Sequence, residues 1–459
     1  MSGHQRGNKK GCRVRLIRIL AIIICIFYPF CSKAEKLSLE ECVKRALESY
    51  PSLQKSRYEV ESSLWRLKEA KLRRWPSMEL ENLMGIVPDA EGDAITGETI
   101  DDEYGFFNKL DVKMALPLVT FGRIGHGIKA AQEALKSQEA AYRSELDEVV
   151  LRVHELYYGY LLTSHLMDST GDLLERFQEA YTIAQERLEK NEPNVTEADV
   201  LKLKIGLEGV SKGMRKLERQ RQTVIASLLN LIGWDKSEEE FATEDKQLKP
   251  VKIKLLDLSE YEEMAKENNA RIKQLEAAVQ AAKEEYMAEK AKYYPMLLAV
   301  GGVKYAVAPG REDQDNPFLN DEYNYFSAGA ALAVKWNMNI LETRAEVEQK
   351  RARYLSLERQ LEEARRGIMV KVREAYEKVK ETEKNLDSSW EARKAGRALL
   401  ILNFTNFKFG IGSGKDVFDG LSIYARTAGQ YYESVYDYNM AVAQLKQLTG
   451  QLYKANNNF

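Results

Sequence analysis

Two aspartates in a short turn are the residues whose type and spacing first suggest a function. Asp416 and Asp419 follow a glycine-rich segment, 410–414, and open a stretch with helical periodicity. Residues three apart lie on one face of a helix, so both carboxylates should project in the same direction. Ser413 stands at the N-cap position, where it and Asp416 can pair with the free backbone N–H groups of the first turn. The turn therefore predicts a capped helix start with an acidic face.

Other candidate sites in the chain do not reach the pattern that their chemistry requires. A phosphate-binding loop needs a glycine six residues before the lysine and a Ser or Thr after it, but Lys415 has Phe409 and Asp416 there. His154 lies in a His-Glu-Leu sequence with no second histidine at the spacing of a zinc-binding helix. No Ser/His/Asp or Cys/His arrangement stands out. We therefore expect no catalytic residue, metal or cofactor, and no enzyme.

The first 34 residues are typical of a secretory signal peptide. A basic region precedes the apolar run 19–27 and Ser32-Lys33-Ala34, which is a small-x-Ala cleavage site. The mature chain should begin at Glu35. Lipid attachment at Cys31 is the alternative, although bulky residues precede it where small ones are preferred.

Composition narrows the class of protein further. Removing the signal segment, with seven basic and no acidic residues, leaves 61 basic and 70 acidic residues, a net charge of −9. This acidic balance argues against nucleic-acid binding. Cys42 is the one cysteine after residue 34, so neither an internal disulfide nor a cysteine metal pair is possible there. No later apolar stretch approaches the ~20 residues of a membrane helix, which leaves a periplasmic or secreted protein, or an outer membrane protein with spanning strands.

Landmarks in the first half of the chain recur in the second half, 217 to 219 residues later. Thr196-x-x-Asp199-Val200 recurs as Ser413-x-x-Asp416-Val417, Trp75-Pro76 as Tyr294-Pro295, and Leu231-Ile232-Gly233 as Leu448-Thr449-Gly450. This predicts a tandem duplication with two units, 35–250 and 251–459.

Each unit reads as helix, strand, loop, strand, long helix, turn and long helix, with prolines confined to junctions and loops. The predicted elements are strands at about 77–87 and 104–118 and helices at about 39–74, 123–190 and 197–232, then strands at about 296–307 and 323–337 and helices at about 258–293, 341–408 and 414–453. Helices this long indicate coiled-coil packing rather than a compact domain.

The first two strands alternate between apolar and charged residues, with a period of two that is typical of a half-buried strand. Segment 323–337 has one apolar face, and segment 296–307 is apolar on both faces except at Lys304. Their length fits a transmembrane strand, and aromatic residues cluster at both ends, as in outer membrane barrels, although core aromatics at strand ends would give the same pattern. Four strands cannot close a barrel, and an open edge in lipid leaves backbone groups unpaired, so the chain should oligomerise. The charged residues predicted to face a barrel lumen are Glu79, Glu81, Lys109, Asp111 and Lys113.

Across nearly all of the mature chain, these features resemble the TolC family of outer membrane efflux proteins. The resemblance rests on the duplicated unit, the Tyr294-Pro295 junction before a strand, Asp416-Val417 after the glycine turn, and the closing Tyr438-x-x-Ala441-x-x-x-Leu445-x-x-Leu448-x-Gly450. It implies a mainly α fold with a β-barrel portion. Three chains would give four strands each to one twelve-stranded transmembrane barrel, which a long antiparallel coiled-coil α-barrel continues into the periplasm.

The function implied is the outer membrane channel of a tripartite efflux or type I secretion system. Such a channel is a passive duct from periplasm to exterior. Its implied partners are a periplasmic adaptor (membrane fusion protein) and an inner membrane pump of RND, ABC or MFS type. The cargo does not follow from the sequence.

The resemblance also assigns roles to the turn residues. It implies that Asp416 and Asp419 line a periplasmic constriction. Carboxylates from three chains should repel one another there, which should raise their pKa values and make the entrance bind multivalent cations. Four residues fall in tip turns that dock the adaptor: Thr196, Asp199, Gly410 and Ser413. Asp199 is equally well explained as a helix cap. For the pair, the alternative to a constriction is that Asp416 only caps the helix and Asp419 is solvated.

Two departures from the family pattern concern how the tips dock and close. The first tip, 190–196, lacks the usual Val-Gly pair. Phe407 and Gly412 stand where the best-known member has the tyrosine and arginine that hold its tip shut.

A periplasmic or surface coiled-coil structural protein is the alternative from another class. The charge-rich helices favour it. Strand segments at matching positions in both units argue against it, because a coiled coil has no use for them.

Overall fold

A computed structural model describes residues 35–92, 97–313, 318 and 322–453. The predicted signal peptide, with its alternative lipidation site at Cys31, lies outside the described residues. No helix within the described ranges is long and apolar enough to cross a membrane.

The described chain alternates long helices with paired strands. In the first half the elements are β1 (Glu35–Leu37), α1 (Leu39–Ser49), α2 (Pro51–Leu72), β2 (Ser77–Glu91), β3 (Glu98–Val119), α3 (Arg123–Glu189), α4 (Glu197–Leu231) and β4 (Phe241–Thr243). In the second half they are α5 (Leu258–Asn268), α6 (Ala270–Lys290), β5 (Met296–Val307), β6 (Tyr325–Lys335), α7 (Ile340–Lys408) and α8 (Gly414–Leu448).

Both helices that were predicted ahead of the strands are broken in two. Tyr50 is extended between α1 and α2, because Pro51 has no N–H with which to continue the first helix. Asn269 is extended between α5 and α6, where its side chain accepts from the N–H groups of Arg271 and Ile272. The last helix, predicted to reach residue 453, ends at Leu448, just before Gly450 adopts a φ of +68°.

Four strands form one antiparallel sheet in the order β2-β3-β5-β6. Strand β2 extends further, and β3 begins earlier, than the alternation predicted. The register places Asp111 opposite both Glu81 and Lys304, while Val112 lies opposite Leu80 and Val303. Since facing residues in a sheet share a face, one side is polar and the other apolar. A separate parallel pair joins β1 to β4.

The helices repeat the order of the strands. Helix α2 leads into β2, β3 into α3, α6 into β5, and β6 into α7. These four helices pack side by side as α2-α3-α6-α7. Farther from the sheet α3 and α7 continue, and the order becomes α4-α3-α8-α7. The strands and helices therefore form one continuous layer with two free edges, one along β2 and the other along β6.

Buried apolar clusters hold neighbouring helices together along this layer. The cluster farthest from the sheet joins α3, α4, α7 and α8 through Phe177, Leu203, Phe404, Phe407 and Leu421. It fixes the two helical turns, which we call tip 1 (190–196) and tip 2 (409–413), beside each other.

Candidate functional site

Both tips end in the same reciprocal cap. In tip 1 the Thr196 hydroxyl accepts from the N–H of Asp199 at 3.3 Å, and the Asp199 carboxylate accepts from the N–H of Thr196 at 3.1 Å. In tip 2 the Ser413 hydroxyl accepts from the N–H of Asp416 at 3.2 Å, and the Asp416 carboxylate accepts from the N–H of Ser413 at 3.1 Å. These capping boxes start α4 and α8.

The two caps differ in exposure. Asp199 is only 7% exposed because Gly414 lies against it; a Cβ at 414 would come within 2.7 Å of the Asp199 Cβ. Asp416 is exposed, and so is Asp419 one turn further along α8. Tip 2 thus presents the two acidic side chains to solvent, while the aspartate of tip 1 is closed in by its neighbour.

Hydrogen bonds lower the pKa of Asp416. The hydroxyl and the backbone N–H of Ser413 both donate to its carboxylate and so favour the charged form. The expected rise in the pKa of Asp416 is therefore not what a single protomer shows, because the cap acts in the opposite direction.

Side chains of the first hairpin hold the end of α7. The Arg187 guanidinium donates to the carbonyls of Phe407 and Lys408, and Lys408 pairs with Glu179. At the turn itself, the Asn194 amide donates to the carbonyl of Gly410 at 2.8 Å, where Gly410 has a φ of +76°. The two tips therefore form one unit within a protomer.

Phe407, one of the two positions that lack the side chains with which the best-known family member holds its tip shut, has a different role here. Phe407 is fully buried in the tip cluster, where its carbonyl accepts a hydrogen bond from Arg187 and its ring lies beneath the Arg187 guanidinium. Sequence reasoning missed Arg187, because nothing local marks an arginine whose partner lies 220 positions along the chain.

The sheet brings the five predicted lumen residues onto one face. Glu79 lies opposite Lys113, Glu81 lies opposite Asp111, and Lys109 shares their side. Lys113 is 3.4 Å from the Asp111 carboxylate. The register adds Lys304 and Ser327 to this face, two residues that the alternation of a single strand did not single out. The face carries mixed charges, with both acidic and basic side chains.

The opposite face of the sheet is apolar and exposed. Leu80, Met78 and Leu332 are each about two-thirds or more exposed, and Val112 and Val303 continue the face across the central strands. A contiguous apolar surface of this kind requires lipid or a partner to cover it.

Histidines and carboxylates elsewhere form no second site. Within the described residues, no group of three or more His, Cys, Asp or Glu is placed to hold a metal ion. His154 has its Nδ1 at 2.8 Å from the carbonyl of Val150, and burial lowers its pKa.

Comparisons with known proteins agree with this architecture. The sequence model of the family described as outer membrane efflux protein matches residues 42–233 and 263–451. The alkaline protease secretion protein AprF of Pseudomonas aeruginosa is 20% identical over 340 residues, which cover 74% of this chain and 69% of AprF.

Solved structures share the fold. The Campylobacter jejuni CmeC outer membrane channel matches with a TM-score of 0.75 at 13% identity, covering 92% of this chain and 87% of CmeC. The open Neisseria gonorrhoeae MtrE outer membrane channel matches with a TM-score of 0.72 at 17% identity, covering 90% and 89%. The Vibrio cholerae outer membrane protein VceC matches with a TM-score of 0.72 at 13% identity, covering 90% and 96%.

Proposed function

Because the chain belongs to the outer membrane efflux protein family, we propose that three copies of it close into one continuous duct from the periplasm to the exterior. The protein is an outer membrane channel component with a large periplasmic portion. Closure, the copy number and the residues that line the duct are the parts that we propose.

The main support for this proposal is the two free edges of the layer that the strands and helices form. Apart from a bridge between Ala90 and Arg311, the four-stranded sheet leaves β2 and β6 unpaired on their outer sides, and lipid offers those backbone groups no partner. The helical layer ends on the same two sides, at α2 and α4 along one edge and at α7 along the other. Head-to-tail contacts between unlike edges generate a ring when the rotation closes. Resemblance to the TolC family supports three copies and twelve strands.

Apolar side chains along the helical edges support the same contact. Leu201 and Ile205 on α4, and Ile401 and Leu402 on α7, are all more than half exposed. Each pair lies near the tips, at opposite edges of one protomer. Pairing α4 of one copy with α7 of the next would cover both pairs.

When three copies close into a ring, each face of the sheet acquires a defined environment. The polar face of the sheet, with Glu79, Glu81, Lys109, Asp111 and Lys113, becomes the wall of an aqueous lumen, and the apolar face meets lipid. Asp416 and Asp419 line the periplasmic constriction. The tip turns that dock the adaptor contain Thr196, Gly410 and Ser413, and the buried Asp199 holds Thr196 in place through the capping box.

Two repeats, 35–250 and 251–459, build each protomer. Matching breaks at Tyr50 and Asn269 and matching capping boxes at Thr196 and Ser413 support this division. The two segments that match the family model also fall one in each repeat.

The duct works with a periplasmic adaptor and an inner membrane pump, as its family does. The protein supplies no turnover of its own. Similarity to AprF, a protease secretion protein, supports a secretion system as one setting, and membership of the outer membrane efflux protein family supports an efflux system as the other. Isolation of the adaptor and pump that co-purify with the channel separates these settings.

Planar bilayer recording of the detergent-extracted protein tests the proposal. We expect a heat-sensitive trimer on gels and stepwise ion currents without any nucleotide. Extraction in aqueous buffer without detergent, together with no current, would instead support a coiled-coil structural protein. Currents that depend on nucleotide would contradict a passive duct.

A further inference from the structure

Helix α8 carries an exposed polar stripe that extends well beyond the two aspartates. Its members are Asp416, Asp419, Arg426, Gln430, Glu433, Asp437 and Gln444, all exposed. Spacings of three, four and seven residues keep a row of side chains on one face of a helix. The opposite face of α8 is buried through Val417, Leu421, Val435 and Val442. The stripe is therefore a single surface, directed away from the protomer core.

Charge alternates along this stripe. Asp416 and Asp419 form its first acidic pair, with the exposed Lys415 beside them, Glu433 and Asp437 form its second acidic pair, and Arg426 is the cation between the two pairs. Arg426 lies seven residues from Asp419 and seven from Glu433, which is roughly 10 Å of helix in each direction. No salt bridge to another described residue neutralises Asp419, Arg426 or Glu433.

We propose that Arg426 determines the charge selectivity of the duct. The proposal rests on the proposed function, because Asp416 and Asp419 can line the lumen only if the rest of the same face does so above them. Three copies of Arg426 then form a positive ring between two negative ones. At physiological ionic strength the Debye length is about 8 Å, similar to the spacing between the rings, so each ring acts on a passing ion separately.

The positive ring has a definite chemical consequence. Cations that concentrate at Asp416 and Asp419 meet a barrier about two to three helical turns further in. A guanidinium also binds carboxylate and phosphate groups through paired hydrogen bonds, which a solvated ammonium group does less well. Arg426 should therefore be the point along α8 where anionic groups of a passing substrate bind.

Reversal potentials measured across a KCl gradient test this assignment. We compare the parent with Arg426→Gln and with Lys44→Gln, which removes the same charge from an exposed position on α1, a helix that packs on α3. Gln retains good helix propensity at the exposed position 426. Removing a ring of three positive charges should raise the potassium-to-chloride permeability ratio by about twofold or more. Lys44→Gln should leave the ratio at the parent value.

Thiol labelling provides a second measurement that does not depend on selectivity. In Arg426→Cys, a charged methanethiosulfonate reagent should reduce the current through an open channel. The parent is the control: Cys42 is fully buried, and burial raises its pKa to about 12, so it should not react.

The possible results distinguish failure of the proposed channel function from failure of the role proposed for Arg426. If the parent forms no channel, the proposed function fails. If the parent conducts but Arg426→Gln leaves the permeability ratio unchanged, or Arg426→Cys conducts equally after the reagent, the face does not line the duct and the role of Arg426 is wrong.

Discussion

Arg187, in the last turn of α3, donates a hydrogen bond from Nη1 to the backbone carbonyl of Phe407, in the last turn of α7, at 2.6 Å. Its Nη2 donates to the carbonyl of Lys408 at 3.0 Å, and the guanidinium lies over the Phe407 ring at 5.1 Å. The last carbonyls of a helix have no partner within that helix. One cation from the first hairpin therefore completes the end of the helix that leads into tip 2.

Arg187→Ala should loosen tip 2 without disturbing the sheet. Hydrogen bonds to a charged donor contribute about 1.5–3 kcal/mol, so amide exchange in 404–412 should become roughly tenfold faster or more. Hydrogen exchange followed by mass spectrometry measures this, with exchange in β3 and β5 as the internal reference. Arg215→Ala, at an exposed position on α4, is the matched control. Unchanged exchange at tip 2 would mean that the apolar cluster alone holds it.

The sequence predicted what depends on local pattern and missed what depends on distant contacts. Period-two alternation identified the strands and the faces of Glu81 and Asp111, because the pleat fixes both. It did not identify Lys304 as a partner of Asp111, since that pairing requires the register between strands from different halves. The link from Arg187 to Phe407 is equally non-local. The break at Asn269 was also missed, because an asparagine cap interrupts a helical pattern without any proline.

Neighbouring positions on β2 test which face of the sheet meets lipid. Leu80→Arg should reduce the amount of assembled trimer in the membrane, because a lipid-facing arginine costs about 2–4 kcal/mol near the midplane. Glu81→Arg should be tolerated, since the new cation faces Asp111 across the strand pair. Quantitative immunoblots of unboiled outer membranes give both yields. A greater loss with Glu81→Arg would reverse the assignment of the two faces.

A buried carboxylate on α3 should make stability depend on pH. Asp147 is buried, its Oδ1 has no hydrogen-bond partner, and the nearest cation, Arg143, is 3.8 Å away while donating to the carbonyl of Tyr453. Burial raises the pKa of Asp147 to about 6, so its protonated form is favoured in the folded state. The stabilisation from protonation is complete below the unfolded pKa of about 4 and is lost as pH rises through about 6.

Asp147→Asn should therefore stabilise the protein at pH 7.5 by on the order of 1–2 kcal/mol and have little effect at pH 4.5. Thermal unfolding of the detergent-solubilised protein at the two pH values measures the difference. Glu148→Gln, at the exposed neighbouring position on α3, is the control and should show no such dependence. Destabilisation of Asp147→Asn at pH 7.5 would show that attraction to Arg143 outweighs the cost of burying the charge.

The last prediction concerns block of the periplasmic entrance. Asp416 and Asp419 are exposed on one face of α8, and hydrogen bonds from Ser413 lower the pKa of Asp416. A depressed pKa keeps this carboxylate charged from neutral pH down to about 5, and its contribution to the helix cap is lost only as pH falls through the lowered value. If three chains bring these side chains together, multivalent cations added on the periplasmic side at neutral pH should block the current. Asp416→Asn with Asp419→Asn should abolish the block and leave trimer yield nearly unchanged, because an asparagine oxygen can still accept from the N–H of Ser413.

Glu238→Gln with Glu239→Gln removes two exposed negative charges far from the tips and should be blocked like the parent. Equal block of the aspartate double variant and the parent in bilayer recordings would place the constriction at other residues.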